Sequence, residues 1–175
     1  MLNLAGFAND SITDGPGIRF TVFAQGCPHG CAGCHNPQTH AFGKGKAWTE
    51  EDVMAKIVQN PLVRGVTFSG GEPFCQAEGF YRLAVLLKER GYELAAYTGY
   101  TLEELLALED PYAGRLLLKL DVLVDGRFVL SKRDLTLRFR GSANQRIINV
   151  PQSLAAGKCV LEASQRWVGD ELRGE

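Results

Sequence analysis

Neither sign of charge predominates in this sequence. Of its 175 residues, 19 are Lys or Arg and 20 are Asp or Glu, a formal net charge of −1. That balance removes the bulk electrostatic case for a nucleic-acid binder or a membrane-surface protein. Long apolar runs are absent too. The greasiest stretch, Leu116 to Val124, is broken by Lys119 and Asp121, well short of the roughly 20 apolar residues that cross a bilayer. The first ten residues hold no basic segment leading into an apolar one, so no secretory signal is expected. Internal repeats, low-complexity tracts and linkers are missing as well. A paired disulfide framework is excluded by number and spacing. There are five cysteines, Cys27, Cys31, Cys34, Cys75 and Cys159, and three of them fall within eight residues. An odd, clustered set of thiols points to a metal or redox site in a reducing compartment. The expectation is a soluble, cytoplasmic protein.

What is present suggests one globular unit. The length fits a single domain and 45% of the residues are hydrophobic, enough for a core without staples. The domain is expected over 1–160, with 161–175, which includes Trp167, as a polar and flexible tail. Apolar periodicity alternates in type along the chain. Strands are expected at 18–24, 65–69, 93–97 and 122–124, and a last one at 159–161. Helices are expected at 49–60, 78–90 and 101–109, with further helical turns within 112–119. Thr49 with Asp52, and Thr101 with Glu104, carry the N-cap pattern; Pro61, Gly91 and Pro111 stop their helices. Strand–helix–strand repetition implies an α/β fold with parallel strands. A closed eight-fold barrel typically takes about 250 residues, so an open sheet or a partial barrel remains.

Chemistry concentrates directly after the first of those strands, in Gly26-Cys27-Pro28-His29-Gly30-Cys31-Ala32-Gly33-Cys34-His35-Asn36. The spacing is C-x3-C-x2-C. Three thiolates on one loop can each hold a corner of an iron–sulfur cube, leaving one iron of a [4Fe-4S] cluster open for chemistry. The alternative is structural zinc, with His29, His35 or His40 as fourth ligand, in a non-catalytic adaptor. The usual second zinc knuckle is missing. A second loop, Ser69-Gly70-Gly71-Glu72-Pro73, closes a strand at its C-terminal end, where ligands of α/β sheets gather.

Together these two motifs resemble the radical S-adenosylmethionine family. Further strings narrow the resemblance: Asp14-Gly15-Pro16-Gly17-Ile18-Arg19, Cys34-His35-Asn36, Tyr97-Thr98-Gly99-Tyr100, Asp121 to Phe128, and Phe139-Arg140-Gly141-Ser142-Ala143-Asn144-Gln145. Their order is similar to that of glycyl-radical-enzyme activases, in particular the group serving the anaerobic ribonucleoside-triphosphate reductase. Pyruvate formate-lyase activases share Asp-Gly-Pro-Gly and Cys-His-Asn and are the alternative. The resemblance implies a partial β/α barrel, mostly parallel with outer helices. It implies that Cys27, Cys31 and Cys34 ligate the [4Fe-4S] cluster. Gly33, Cys34, His35, Ser69, Gly70, Gly71 and Glu72 would bind S-adenosylmethionine, with His35 a candidate cover for the adenine. A side chain at Gly71 would fill space the methionine moiety needs. The cofactors would carry the chemistry. An electron from a donor such as flavodoxin would cleave S-adenosylmethionine, and the 5′-deoxyadenosyl radical would take hydrogen from a glycine of the reductase.

Other residues receive plainer readings. Cys75 is expected to be a buried small hydrophobe, its place after the Gly-Gly-Glu-Pro loop leaving a position near the cofactor as the alternative; Cys159 is expected to be structural or a stray surface thiol, and His40 a surface residue. Trp48 is expected to pack at the start of a helix. Arg138, Arg140 and Arg146 form a basic run, either a solvated strand face or, for Arg138 and Arg140, a contact to the reductase.

Overall fold

The computed structural model describes residues 1–169. Seven strands form one open sheet in the order β3-β1-β2-β4-β5-β6-β7. They are β1 (Leu2–Ser11), β2 (Arg19–Ala24), β3 (Lys46–Trp48), β4 (Gly65–Gly70), β5 (Glu93–Tyr97), β6 (Val122–Asp125) and β7 (Arg146–Asn149). β2, β4, β5 and β6 are mutually parallel. β1 joins β2 antiparallel, β3 joins β1 antiparallel and β7 joins β6 antiparallel. The sheet is therefore an incomplete barrel with a parallel centre and antiparallel margins.

Period-two alternation gives the sheet two unlike faces. Phe20, Val22, Val66, Phe68, Leu94, Ala96 and Leu123 point to one side and form the main core. The helices pack there: α1 (Glu50–Ile57), α2 (Ala77–Glu89), α3 (Leu102–Leu106), α4 (Pro111–Leu117) and α5 (Val150–Ala156). Val53, Phe80, Leu83, Leu87, Leu105, Leu116 and Val150 supply their apolar stripes. The expected caps form. Thr49 Oγ1 accepts from the Asp52 amide at 3.1 Å, and Thr101 with Glu104 makes a reciprocal capping box.

The other face is concave and largely polar. Arg19, Thr21, Thr67 and Ser69 are buried there, alongside a small cluster of Ala95, Val122, Val124, Ile147, Trp167 and Val168. Arg19 is locked by Thr67 Oγ1 at 2.7 Å, the Val66 carbonyl at 3.0 Å and Glu93 Oε1 at 2.8 Å. Its burial pulls the guanidinium down to about 10.

The expected tail divides. Residues Gln165–Val168 form a short helix, α6, and Trp167 is 1% exposed, its ring 5.4 Å from Phe139 and 5.5 Å from the Arg19 guanidinium carbon. An apolar side chain of that size on a bare sheet face is buried by the hydrophobic effect whatever the polarity of its neighbours. Residues 170–175 lie outside the described residues. The last expected strand shrinks to one bridge, Ile148 to Leu161. The helices expected at 49–60 and 101–109 are shorter, and the further turns form a helix of their own, α4, which Asp110 caps and Pro111 starts.

Candidate functional site

All four parallel strands end on the same side, and their following loops meet. β2 leads into the cysteine loop, β4 into Gly71-Glu72, β5 into Thr98-Gly99 and β6 into Gly126. A cavity of about 150 Å³ lies between them, lined by Cys27, Cys31 and Cys34 together with Ser69, Gly70 and Gly71. The cysteine loop is closed at its base. The Gly26 amide donates to the Thr39 carbonyl at 2.8 Å and the Cys27 amide to that of His40 at 3.0 Å. Buried Gln25 fastens the same base through the Ala41 carbonyl at 2.6 Å. The Cys27 thiol is pushed up by burial, with the charges of Glu72, Cys31 and Cys34 adding to the effect and the His29 backbone opposing it. A bound metal reverses this, because coordination deprotonates a thiol outright.

Most of the residues expected at the site are here. Cys34, His35, Ser69, Gly70 and Gly71 line the cavity. His35 sits 5.1 Å from the Phe128 ring, which places an aromatic pair on its rim. Gly33 is not on the wall; it is exposed, beside Leu130. Glu72 is not on the wall either. It is wholly buried, and its carboxylate accepts from His29 Nε2 at 2.9 Å, the Gly99 amide at 2.8 Å, Thr98 Oγ1 at 3.0 Å and the Phe74 amide at 3.1 Å. Its acceptor capacity is taken up inside the protein. Gly71 is required even without a ligand: a Cβ there would overlap the Gly26 carbonyl oxygen and lie 3.0 Å from that of Thr39. The loop after β4 thus rests backbone to backbone on the cysteine loop, the Glu72 amide donating to the Gly26 carbonyl at 2.8 Å.

Two histidines differ from their expected surroundings. His40 is half-buried on the cavity wall rather than at the surface. Its Nε2 is buried and has no hydrogen-bond partner among the described residues. An unsatisfied buried ring nitrogen beside three thiols fits a polar group seated in the cavity. His29 is taken by Glu72, and its ring stands edge-on to Tyr100 at 4.6 Å. Among the described residues no three His, Cys, Asp or Glu side chains converge as ligands of a single ion. The three thiols line one cavity without converging on a point, a spread that suits the separated corners of a cluster.

The remaining cysteines stand apart. Cys75 is exposed, not buried, because the turn Pro73–Gln76 projects it outward. Partial enclosure and the neighbouring charges of Glu72 and Cys27 push its thiol up to about 11, against a hydrogen bond from Tyr100. Cys159 is half-buried. A groove of about 600 Å³ adjoins the cavity along the concave face, sharing His35, Ser69 and Tyr97 with it and reaching Ile12, Leu137 and Arg140. Arg140 Nη1 donates to the Gln145 carbonyl at 3.4 Å, and Arg138 lies over the Phe139 ring at 5.3 Å. Arg146 is paired with Asp125 at 2.6 Å and Glu103 at 2.7 Å.

An open, helix-backed α/β sheet whose strand ends gather three thiols over a glycine-rich loop defines a radical S-adenosylmethionine type of iron–sulfur protein. The 4Fe-4S single cluster domain family matches residues 13–148. Anaerobic ribonucleoside-triphosphate reductase-activating proteins align over most of the chain. That of Vibrio cholerae is 36% identical, covering 77% of this chain and 89% of its own length. That of Pasteurella multocida is 37% identical, covering 86% and 99%. The chain belongs to this activating-protein family. A pyruvate formate-lyase-activating enzyme of Clostridium pasteurianum is 43% identical over a shorter stretch, 51% of this chain and 40% of that protein. The crystal structure of QueE from Escherichia coli superposes on 57% of this chain and 53% of that one, with 23% identity and a TM-score of 0.49.

Proposed function

We propose that this protein activates an anaerobic ribonucleoside-triphosphate reductase, using a [4Fe-4S] cluster held by Cys27, Cys31 and Cys34 and S-adenosylmethionine bound against Ser69, Gly70 and Gly71. The observation that carries this reading is the shared cavity: the three thiols and the backbone of the β4 loop face the same space. When bound, the cluster supplies one electron, drawn from a donor such as flavodoxin, that cleaves S-adenosylmethionine so that hydrogen is taken from a glycine of the reductase.

The chain's own residues supply position and shelter. The latched base of the cysteine loop fixes the spacing of the thiols. The half-buried backbone of Gly70 and Gly71 on the cavity wall brings the chain close to the ligand space. His35 and Phe128 form an aromatic wall suited to a purine face. The open concave groove admits a segment of another protein from the side; Arg140 in its lining and the exposed Arg138 over Phe139 meet the reductase.

The test is direct. Anaerobically reconstituted protein, reductant and S-adenosylmethionine are mixed with the reductase, and the glycyl radical is read by electron paramagnetic resonance. A radical on the reductase and none on pyruvate formate-lyase supports the assignment. The opposite preference refutes it.

A further inference from the structure

The string Thr98-Gly99-Tyr100 has no part in the function proposed above, yet every residue of it converges on one histidine of the cysteine loop. Thr98 Oγ1 and the Gly99 amide both donate to Glu72, the carboxylate that holds His29. A Cβ at Gly99 would overlap the His29 ring, so only glycine leaves room for it. Tyr100 receives the ring edge-on at 4.6 Å. The His29 and Glu72 side chains are 3% and 0% exposed. Three separate loops are therefore joined at one buried point: the cysteine loop by His29, the cofactor loop by Glu72 and the end of β5 by Thr98 and Gly99.

We propose that the His29–Glu72 pair is a latch that holds the cysteine loop in register with the Ser69–Gly71 loop. His29, at the edge of the cavity, and Glu72, behind its wall, are positioning residues: they set how the cofactor-binding backbone meets the cluster. The proposal rests on the reading of the site as a cluster with S-adenosylmethionine. A buried hydrogen bond to a carboxylate is strong, and removing its donor leaves the acceptor short of a partner. The thiols remain able to bind iron without the latch, since the base of their loop is fastened independently through Gly26, Cys27 and Gln25.

The experiment uses the reconstituted full chain. His29→Phe keeps a ring against Tyr100 and removes the donor to Glu72. Iron per chain is measured, and S-adenosylmethionine is titrated against the spectrum of the reduced cluster. Iron content is expected to stay at the wild-type level while the half-saturating concentration rises about tenfold. His29→Gln, whose amide nitrogen can take the place of Nε2, is expected to recover most of the affinity. Wild-type affinity in His29→Phe overturns the latch. So does loss of iron as complete as in Cys31→Ala without rescue by His29→Gln, because the pair would then serve cluster assembly. A wild-type cluster whose spectrum ignores S-adenosylmethionine overturns the functional reading itself, and the latch with it.

Discussion

Cys27, Cys31 and Cys34 share a wall with one another and not with Cys75 or Cys159, so the five thiols separate by position as well as by spacing. Replacing any of the three by Ala is expected to remove most bound iron and all cleavage of S-adenosylmethionine; the same change at Cys159 or Cys75 leaves both nearly intact. Iron assay and chromatography of 5′-deoxyadenosine check this. Cys75 offers a second test, from its thiol at about 11. The thiolate is the reactive form, and at pH 9 an ordinary thiol near 8.5 is mostly ionised, whereas a thiol raised to about 11 stays mostly protonated. Peptide-resolved alkylation at pH 9 should therefore run tens of times more slowly at Cys75 than at a free model thiol. An equal rate would contradict the upward shift of this thiol. The spacing of the cysteines was legible because ligand spacing is local. The burial of Glu72, the outward turn of Cys75 and the inward turn of His40 were not, since each depends on loops that meet only after folding.

At the scale of elements, the central strands were legible because their β-branched and aromatic runs are short and bounded by turn residues. β5 spans the 93–97 that its pattern predicts. β1 was missed: Leu2 to Ser11 mixes Gly, Ala and Asn, and its pairing with β2 is interrupted by two register shifts. Edge strand β3, of three residues, carries too little pattern to be read. Helix starts were read from their caps, and Thr101→Ala should cost about 1 kcal/mol through loss of the capping box, measured as a shift in denaturant midpoint. The contact between loops makes a sharper prediction at Gly71. A sequence argument assigns that glycine to ligand space, yet its Cβ would strike the Gly26 carbonyl. Gly71→Val is therefore expected to lose both iron and S-adenosylmethionine binding; retention of a full cluster would restore the simpler role.

On the scale of the whole molecule, a sheet with helices on one side needs something else on the other. Part of that cover comes from α6, which the sequence hides in a polar segment: one Trp among Ser, Gln, Arg and Gly gives no periodicity to read. Trp167 fills the space between Arg19, Phe139 and the sheet, so Trp167→Ala should destabilise the fold by about 3–5 kcal/mol, seen in anaerobic chemical denaturation, and a change under 1 kcal/mol would refute its place in the core. The uncovered remainder of the concave face is the groove beside the cavity, and the central claim is that a glycine of the reductase reaches the site through it. The most direct measurement follows an isotope from one protein to the product: the reductase is labelled with deuterium at glycine Cα, mixed with the reconstituted protein, reductant and unlabelled S-adenosylmethionine, and the 5′-deoxyadenosine is analysed by mass spectrometry. One deuterium in the product, appearing with the glycyl radical, is the predicted result. Product without deuterium, formed while the glycyl radical appears, would contradict the account.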